Sequence, residues 1–212
     1  MQPKTIEILK SFAAINQGIV VREGNVLRTM SQSKNIFGTA TVPDDFPREF
    51  AIYNLNELLS VLSLFEAPEI GYGDDAITIK QGRSTIQYVY SSPAVVVAPP
   101  ADKSIPVKDV QLEFDLTKEG LTALLKAAAV MKAADLVVTK KGLSAIDKKR
   151  GGENSYQVDL DVEGDTNDEF SVKIDTLKGV IPANYRVRVT PRVISFDAEG
   201  LSYVIALDKD KA

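Results

Sequence analysis

Residues 4–15, KTIEILKSFAAI, place Ile8, Leu9, Phe12 and Ile15 on one side at about 100° per residue. Glu7, Lys10, Ser11 and Ala14 fall opposite, so an amphipathic helix is predicted, with Pro3 suited to its first turn. Gly18–Val21 then reads as a strand that reverses at residues 22–25 into a second strand, Val26–Met30. Alternation resumes over Ile36–Val42 and stops at a predicted turn, Pro43-Asp44-Asp45. A short apolar strand, Glu49–Tyr53, is followed by Asn54 in an N-cap position and a helix over Leu55–Phe65, with Pro68 as its stop. Three strands, Glu69–Tyr72, Ala76–Gln81 and Ser84–Tyr90, are joined by hairpin turns at residues 73–75 and 81–83.

The same order of elements recurs later in the chain. Val110–Leu116 is a strand, Thr117 a cap, and the helix it opens runs to about Lys132. Asp135–Lys140 and Leu143–Lys149 form a hairpin across Lys141-Gly142, and Ser155–Val162 alternates. Glu169–Ile174 is a strand, Asp175 an N-cap, and Thr176–Val180 a short helix stopped by Pro182. Asn184–Val189, Arg192–Asp197 and Leu201–Leu207 close the chain as strands. Between the two series lies SSPAVVVAPPADKSIPVKDV, residues 91–110, which holds Pro93, Pro99, Pro100 and Pro106. Proline fixes φ and removes a donor, so this stretch reads as a semi-rigid connector. The expected organisation is α+β: a domain over residues 1–92, a connector over 93–109, and a second similar domain over 110–212. Each domain carries two helices packed on antiparallel sheet.

Composition narrows the chemistry. With 212 residues, 44% hydrophobic and 25% charged, the chain is long enough for two cores. No apolar run approaches the roughly 20 residues of a membrane span. MQPKTIEILK lacks the apolar core of a secretory signal and is read as mature sequence. Cysteine and histidine are both absent, which removes disulfides, thiol nucleophiles, the serine–histidine triad and the usual zinc ligands. Carboxylate clusters remain at Asp44/Asp45, Asp74/Asp75, Asp159/Asp161 and Asp165/Asp168/Glu169, but turns and solvated strand faces account for them. Gly71-Tyr72-Gly73 has neither the helix nor the lysine of a phosphate loop. No cofactor or metal is expected.

Basic residues are distributed more tellingly than the net charge of −4 suggests. The four helices carry Lys4, Lys10, Lys118, Lys126, Lys132 and Lys178 against Glu7, Glu57, Glu119 and Asp175. The surplus is +2 on the helices, leaving the remainder of the chain more acidic than its total. Lys140, Lys141, Lys148, Lys149 and Arg150 form a second basic group in the hairpin and the loop after it, read either as flexible surface charge or as phosphate contacts.

Several segments resemble those of DNA sliding clamps, and in particular the polymerase processivity clamps of T-even-type tailed phages. They are Phe12-Ala-Ala-Ile-Asn-Gln-Gly-Ile, Ala51-Ile-Tyr-Asn-Leu-Asn-Glu-Leu-Leu-Ser-Val-Leu-Ser-Leu, Arg83-Ser-Thr-Ile, Val95-Val-Val-Ala-Pro and Pro182-Ala-Asn-Tyr. In the second half the resemblance rests mainly on element order, anchored by Leu121–Lys126 and the Pro182 turn.

The resemblance implies a homotrimeric ring of six domains that encircles double-stranded DNA and tethers the replicative DNA polymerase. It performs no chemistry of its own and depends on a separate clamp loader ATPase, in the cytoplasm of the infected bacterial host. The helices would line the hole, so Lys4, Lys10, Lys118, Lys126, Lys132 and Lys178 become the expected DNA contacts. Lys126 matches a basic position of the family's helix. Three residues later the family pattern is basic again, where this chain has Ala129. Clamps of this kind also take hydrophobic partner peptides near the connector and the last strands. Val95, Val96, Val97, Ile105, Ala206 and Leu207 are the candidates, although the valines are equally explained as a seal at the joint between domains. A phage structural or assembly protein built from duplicated β-rich domains is the alternative reading, and an enzyme working with carboxylates alone a more distant one.

Overall fold

In the computed structural model, which describes residues 1–101, 104–148 and 154–208, the first helix, α1, spans Pro3–Ile15 and buries Ile8, Leu9, Phe12 and Ala13. Its N-cap residue, Gln2, offers no side-chain cap. The cap comes from a distant strand. Asp44 Oδ2 accepts the backbone N–H of Gln2 at 2.8 Å and the hydroxyl of Thr5, placing a carboxylate where the first amide groups of the helix lack partners.

This contact explains why the expected turn at Pro43-Asp44-Asp45 is not formed. The strand β3 runs through it, from Ile36 to Phe46. Its partner β2 (Gly24–Met30) pairs Val26 with Thr41 and Gly24 with Phe46, so residues 42–45 stand opposite Asn25 alone. The excess residues leave the ladder, the missing donor of Pro43 costs no strand hydrogen bond, and Asp44 is free to reach α1.

The expected hairpin of the first two strands is also absent. β1 (Ile19–Val21) pairs antiparallel with β4 (Phe50–Ile52), Val20 opposite Ala51. All residues of both strands are buried, so this pairing lies in the core. The second helix, α2 (Leu55–Leu62), opens as expected on Asn54, whose side chain accepts from Glu57 N at 3.2 Å. It ends short of Phe65. Ser60 and Ser63 turn their hydroxyls onto the carbonyls of Asn56 and Ser60, and Leu64 is exposed. α1 packs on α2 and β3, and the sheet β5 (Glu69–Tyr72), β6 (Ala76–Gln81), β7 (Ser84–Val89) follows in hairpin order.

Contacts divide the chain into two units, Met1–Lys103 and Ser104–Ala212. The valine-rich start of the connector therefore belongs to the first unit. In the second, β8 (Leu112–Leu116) leads to α3 (Lys118–Met131), capped by Thr117 Oγ1 accepting from Gly120 N at 3.1 Å. The strands β9 (Asp135–Thr139), β10 (Gly142–Ile146), β11 (Ser155–Asp159) and β12 (Phe170–Lys173) form a sheet in the order β11-β10-β9-β12. The last three strands, β13 (Tyr185–Val189), β14 (Val193–Ala198) and β15 (Leu201–Ala206), extend from β8 in the order β8-β13-β14-β15.

Between these sheets lies α4, Ile174–Leu177, whose N-cap is Lys173 and not Asp175. Asp175 sits in the first turn and pairs with Lys178 at 2.7 Å. The strand-to-helix device is thus shared by the two halves, but its asparagine cap is peculiar to the first. Both units are antiparallel sheet with two helices, so the fold class is α+β.

Candidate nucleic-acid interface and partner clefts

Every one of the six candidate lysines is exposed. The apolar faces of their helices account for this: α3 buries Leu121, Leu124 and Ala128, which turns Lys118 and Lys126 outward. Lys4 and Lys10 lie off the buried face of α1 in the same way. Lys132 is the C-cap of α3 in a left-handed conformation, φ 56°, with its cation at the negative end of the helix. A cleft of about 620 Å³ between α3 and α4 brings Lys132 and Lys178 together with Asp175, among apolar side chains that include Leu125, Ala128 and Ile174. Lys178 is paired with an acidic side chain, Asp175, and so has less free charge to offer. The other basic group is partly spent: Lys148 binds Glu169 at 2.7 Å and Lys140 approaches Asp165 at 4.0 Å, while Lys149 and Arg150 lie outside the described residues.

The partner candidates separate into two places. Val95, Val96 and Val97 line a small cleft of the first unit with Asn16, Gly18, Gln32 and Tyr53. Asn16 organises it. Its buried side-chain amide donates to Val97 O at 2.7 Å and Met30 O at 2.9 Å, and its oxygen accepts from Gly18 N at 3.2 Å. Arg22 adds a hydrogen bond to Pro99 O at 3.0 Å. The backbone of the connector is thereby fastened while Val95 remains 59% exposed and Val97 39%. Val96 behaves differently. A methyl group at Gly18 would lie 3.1 Å from its Cγ1, so Val96 closes against the Gly18 backbone within the first unit.

Ala206 and Leu207 line a larger cleft of the second unit, about 1040 Å³, together with Asp168, Glu169, Phe170, Ser171, Pro191, Arg192 and Asp208. Ile105, half-buried, lines neither cleft. Phe170, Pro191 and Arg192 do not stand out in the sequence, and neither does Tyr53 beside the valines. A proline in an exposed turn next to an apolar strand end is the available signal for Pro191. Tyr53 gives none, since an aromatic at a strand end is ordinary core material until its 54% exposure is seen.

Several of the carboxylates are held in ion pairs. Among the described residues no group of three or more potential metal ligands comes together. Asp74 binds Arg48 at 2.6 Å, and Glu113, Asp115 and Glu163 surround Arg186 at 3.0–3.4 Å, raising its pKa. Burial pushes the Tyr72 phenol up to about 12, helped by the nearby charge of Asp44. Among the described residues no helix is long and apolar enough to cross a membrane.

Residues 2–98 match the family described as DNA polymerase processivity factor. The sliding clamp of Vibrio phage KVP40 is 31% identical over 98% of this chain and 98% of its own length. That of Escherichia phage RB69 is 29% identical over 97% and 95%. Among solved structures, the Proliferating Cellular Nuclear Antigen of Entamoeba histolytica superposes with a TM-score of 0.71 at 12% identity, covering 97% of this chain and 95% of its own. The A. fulgidus PCNA, solved with the C-terminal region of FEN-1 bound, gives 0.72 at 11%, covering 100% and 98%. The structural likeness carries the fold, the phage relatives carry the kinship, and on that kinship the chain belongs to the sliding-clamp family of DNA polymerase processivity factors.

Proposed function

We propose that this clamp works as a homotrimeric ring around duplex DNA and holds the replicative polymerase to its template. A clamp loader ATPase would open and close it in the cytoplasm of the infected bacterium. The observation that carries the ring is the state of two strand edges. β7 (STIQYV) ends its sheet in the first unit and β11 (SYQVD) ends its sheet in the second. Neither has proline or lysine, the usual guards of an exposed edge. A head-to-tail pairing of β7 from one copy with β11 from the next covers both and closes when the rotation per subunit is a third of a turn.

Within such a ring the helix lysines face the duplex. Contacts from Lys4, Lys10, Lys118, Lys126 and Lys132 to phosphate carry no base information, as sliding requires. Lys178 contributes less because Asp175 already holds it. The clefts at Val95–Val97 and at Ala206–Leu207 are the partner surfaces, each setting apolar side chains among polar ones to receive a hydrophobic segment of the polymerase. The test is topological. Loaded with its clamp loader, the ring stays on closed circular DNA and runs off once that DNA is cut; retention indifferent to linearisation would overturn the proposal.

A further inference from the structure

The large cleft of the second unit owes one of its walls to the chain leaving β15. Leu207 N donates to Arg192 O at 2.9 Å, on the β13–β14 turn, and Asp208 N donates to Ser171 O at 2.8 Å, on β12. The turn itself is rigid: Thr190 Oγ1 accepts from the N–H groups of Arg192 and Val193 at 3.2 and 3.0 Å. The β12 side has a different support. The Asp208 carboxylate lies 3.3 Å from Lys173 Nζ, and the same ammonium hydrogen-bonds Asp135.

Asp135 decides the quality of this arrangement. Its side chain is 2% exposed and also accepts Lys148 N at 3.2 Å. A buried carboxylate demands its counter-charge, so Lys173 is held from below and cannot wander as a surface lysine does. An ordinary exposed ion pair contributes little, because two long side chains must be ordered to make it. Here one of the two is already ordered, and Asp208 meets a fixed cation.

We propose that Asp208 is a positioning residue of the partner cleft: its ion pair with the anchored Lys173 holds residues 207 and 208 as the wall against which a hydrophobic partner segment packs. The proposal rests on reading this cleft as a polymerase-binding surface. It is tested on the full-length trimer with the cognate replicative polymerase as probe. Asp208→Ala should weaken polymerase binding by about tenfold and speed hydrogen exchange of the Asp208 amide, with the trimer mass unchanged. Asp208→Glu, which keeps a carboxylate for Lys173, should restore both.

Lys173→Gln separates positioning from simple rim charge. It leaves the cleft more acidic yet should weaken binding; stronger binding would overturn the latch in favour of charge attraction. Should that variant fail to fold around Asp135, the Asp208 pair still decides the matter. Unchanged binding and exchange in Asp208→Ala would overturn the proposal. Leu207→Asp checks the underlying reading: wild-type binding there would remove the cleft from partner recognition and this proposal with it. Lost binding in Leu207→Asp alongside normal binding in Asp208→Ala would sink the latch alone.

Discussion

At the scale of single residues, the side chains that matter most are polar groups acting across long sequence separations. Asp44 caps α1 from a strand about forty positions away. Asp44→Ala leaves Gln2 N and Thr5 without their acceptor and should cost about 1 kcal/mol of stability, read from denaturant midpoints at constant slope. Tyr72 sets an alkaline limit. Its folded pKa of about 12 exceeds the ordinary 10.0, mainly through burial among Phe46 and Phe50. The folded state keeps the phenolic proton longer than the unfolded one, so this stabilisation is intact below about pH 10 and is lost as pH rises toward 12. Tyr72→Phe should flatten that fall in a thermal-stability profile taken from pH 9 to 12. The connector valines divide by exposure. Val95→Ser should change stability by less than about 0.5 kcal/mol, whereas Val96→Ala should cost about 1 kcal/mol or more by opening the contact at Gly18.

Among the elements, α3 has the strongest claim to a DNA-facing role. Its buried stripe is short, with Leu121, Leu124 and Ala128, and much of the remainder is small or basic. Reversing Lys118 and Lys126 to glutamate should shorten clamp lifetime on circular DNA. The slope of log affinity against log salt should fall by about one unit for each phosphate deprived of its lysine. Unchanged slopes would remove α3 from the DNA-facing surface. The β9–β10 hairpin depends on backbone approach. Gly142 has φ 133°, and a Cβ there would lie 2.1 Å from Val158 O on β11. Gly142→Ala should therefore destabilise by about 2 kcal/mol or more and disturb the β11 edge first. The caps read from sequence for α2 and α3, Asn54 and Thr117, form as expected. Asp175 does not cap, because a helix of four residues that starts directly from a buried strand leaves the chain no room for a separate Asx turn.

For the whole molecule, the charge distribution and the edges of β7 and β11 belong together. In the proposed ring, the net charge of −4 would keep the outer surface from clinging to DNA, while the helix lysines would serve the inner one. A light-scattering mass near three times 23.1 kDa is the expected result. Val89→Lys together with Tyr156→Lys puts a cation on each free edge and should shift that mass toward the monomer while leaving far-UV circular dichroism intact. A trimer unaffected by both substitutions would place the contact elsewhere.

Much of this architecture is legible along the chain because it is local. Periods of 3.6 and 2, side-chain caps and glycine turns depend on neighbours within a few residues. Accordingly α1, α2, α3, the β5–β6–β7 meander and the closing strands lie close to their predicted positions. The departures are non-local. Pro43-Asp44-Asp45 has the chemistry of a turn, but the pairing of β3 and the contact of Asp44 with the start of α1, which hold it in the strand, are both non-local. β1 pairs with β4 across the chain because both are wholly buried, a fact that strand periodicity does not contain. The candidate lysines are legible as the polar side of amphipathic helices. The cleft shared by Lys132 and Lys178, and the neutralisation of Lys178 by Asp175, are visible only in three dimensions. The connector valines look alike in sequence, and Asn16 and Gly18 make them different. The order of residues is thus enough for most elements, the duplicated plan and the family. It is not enough to show that Asp135 anchors Lys173, because a carboxylate's need for a counter-ion arises only once folding has taken its water away.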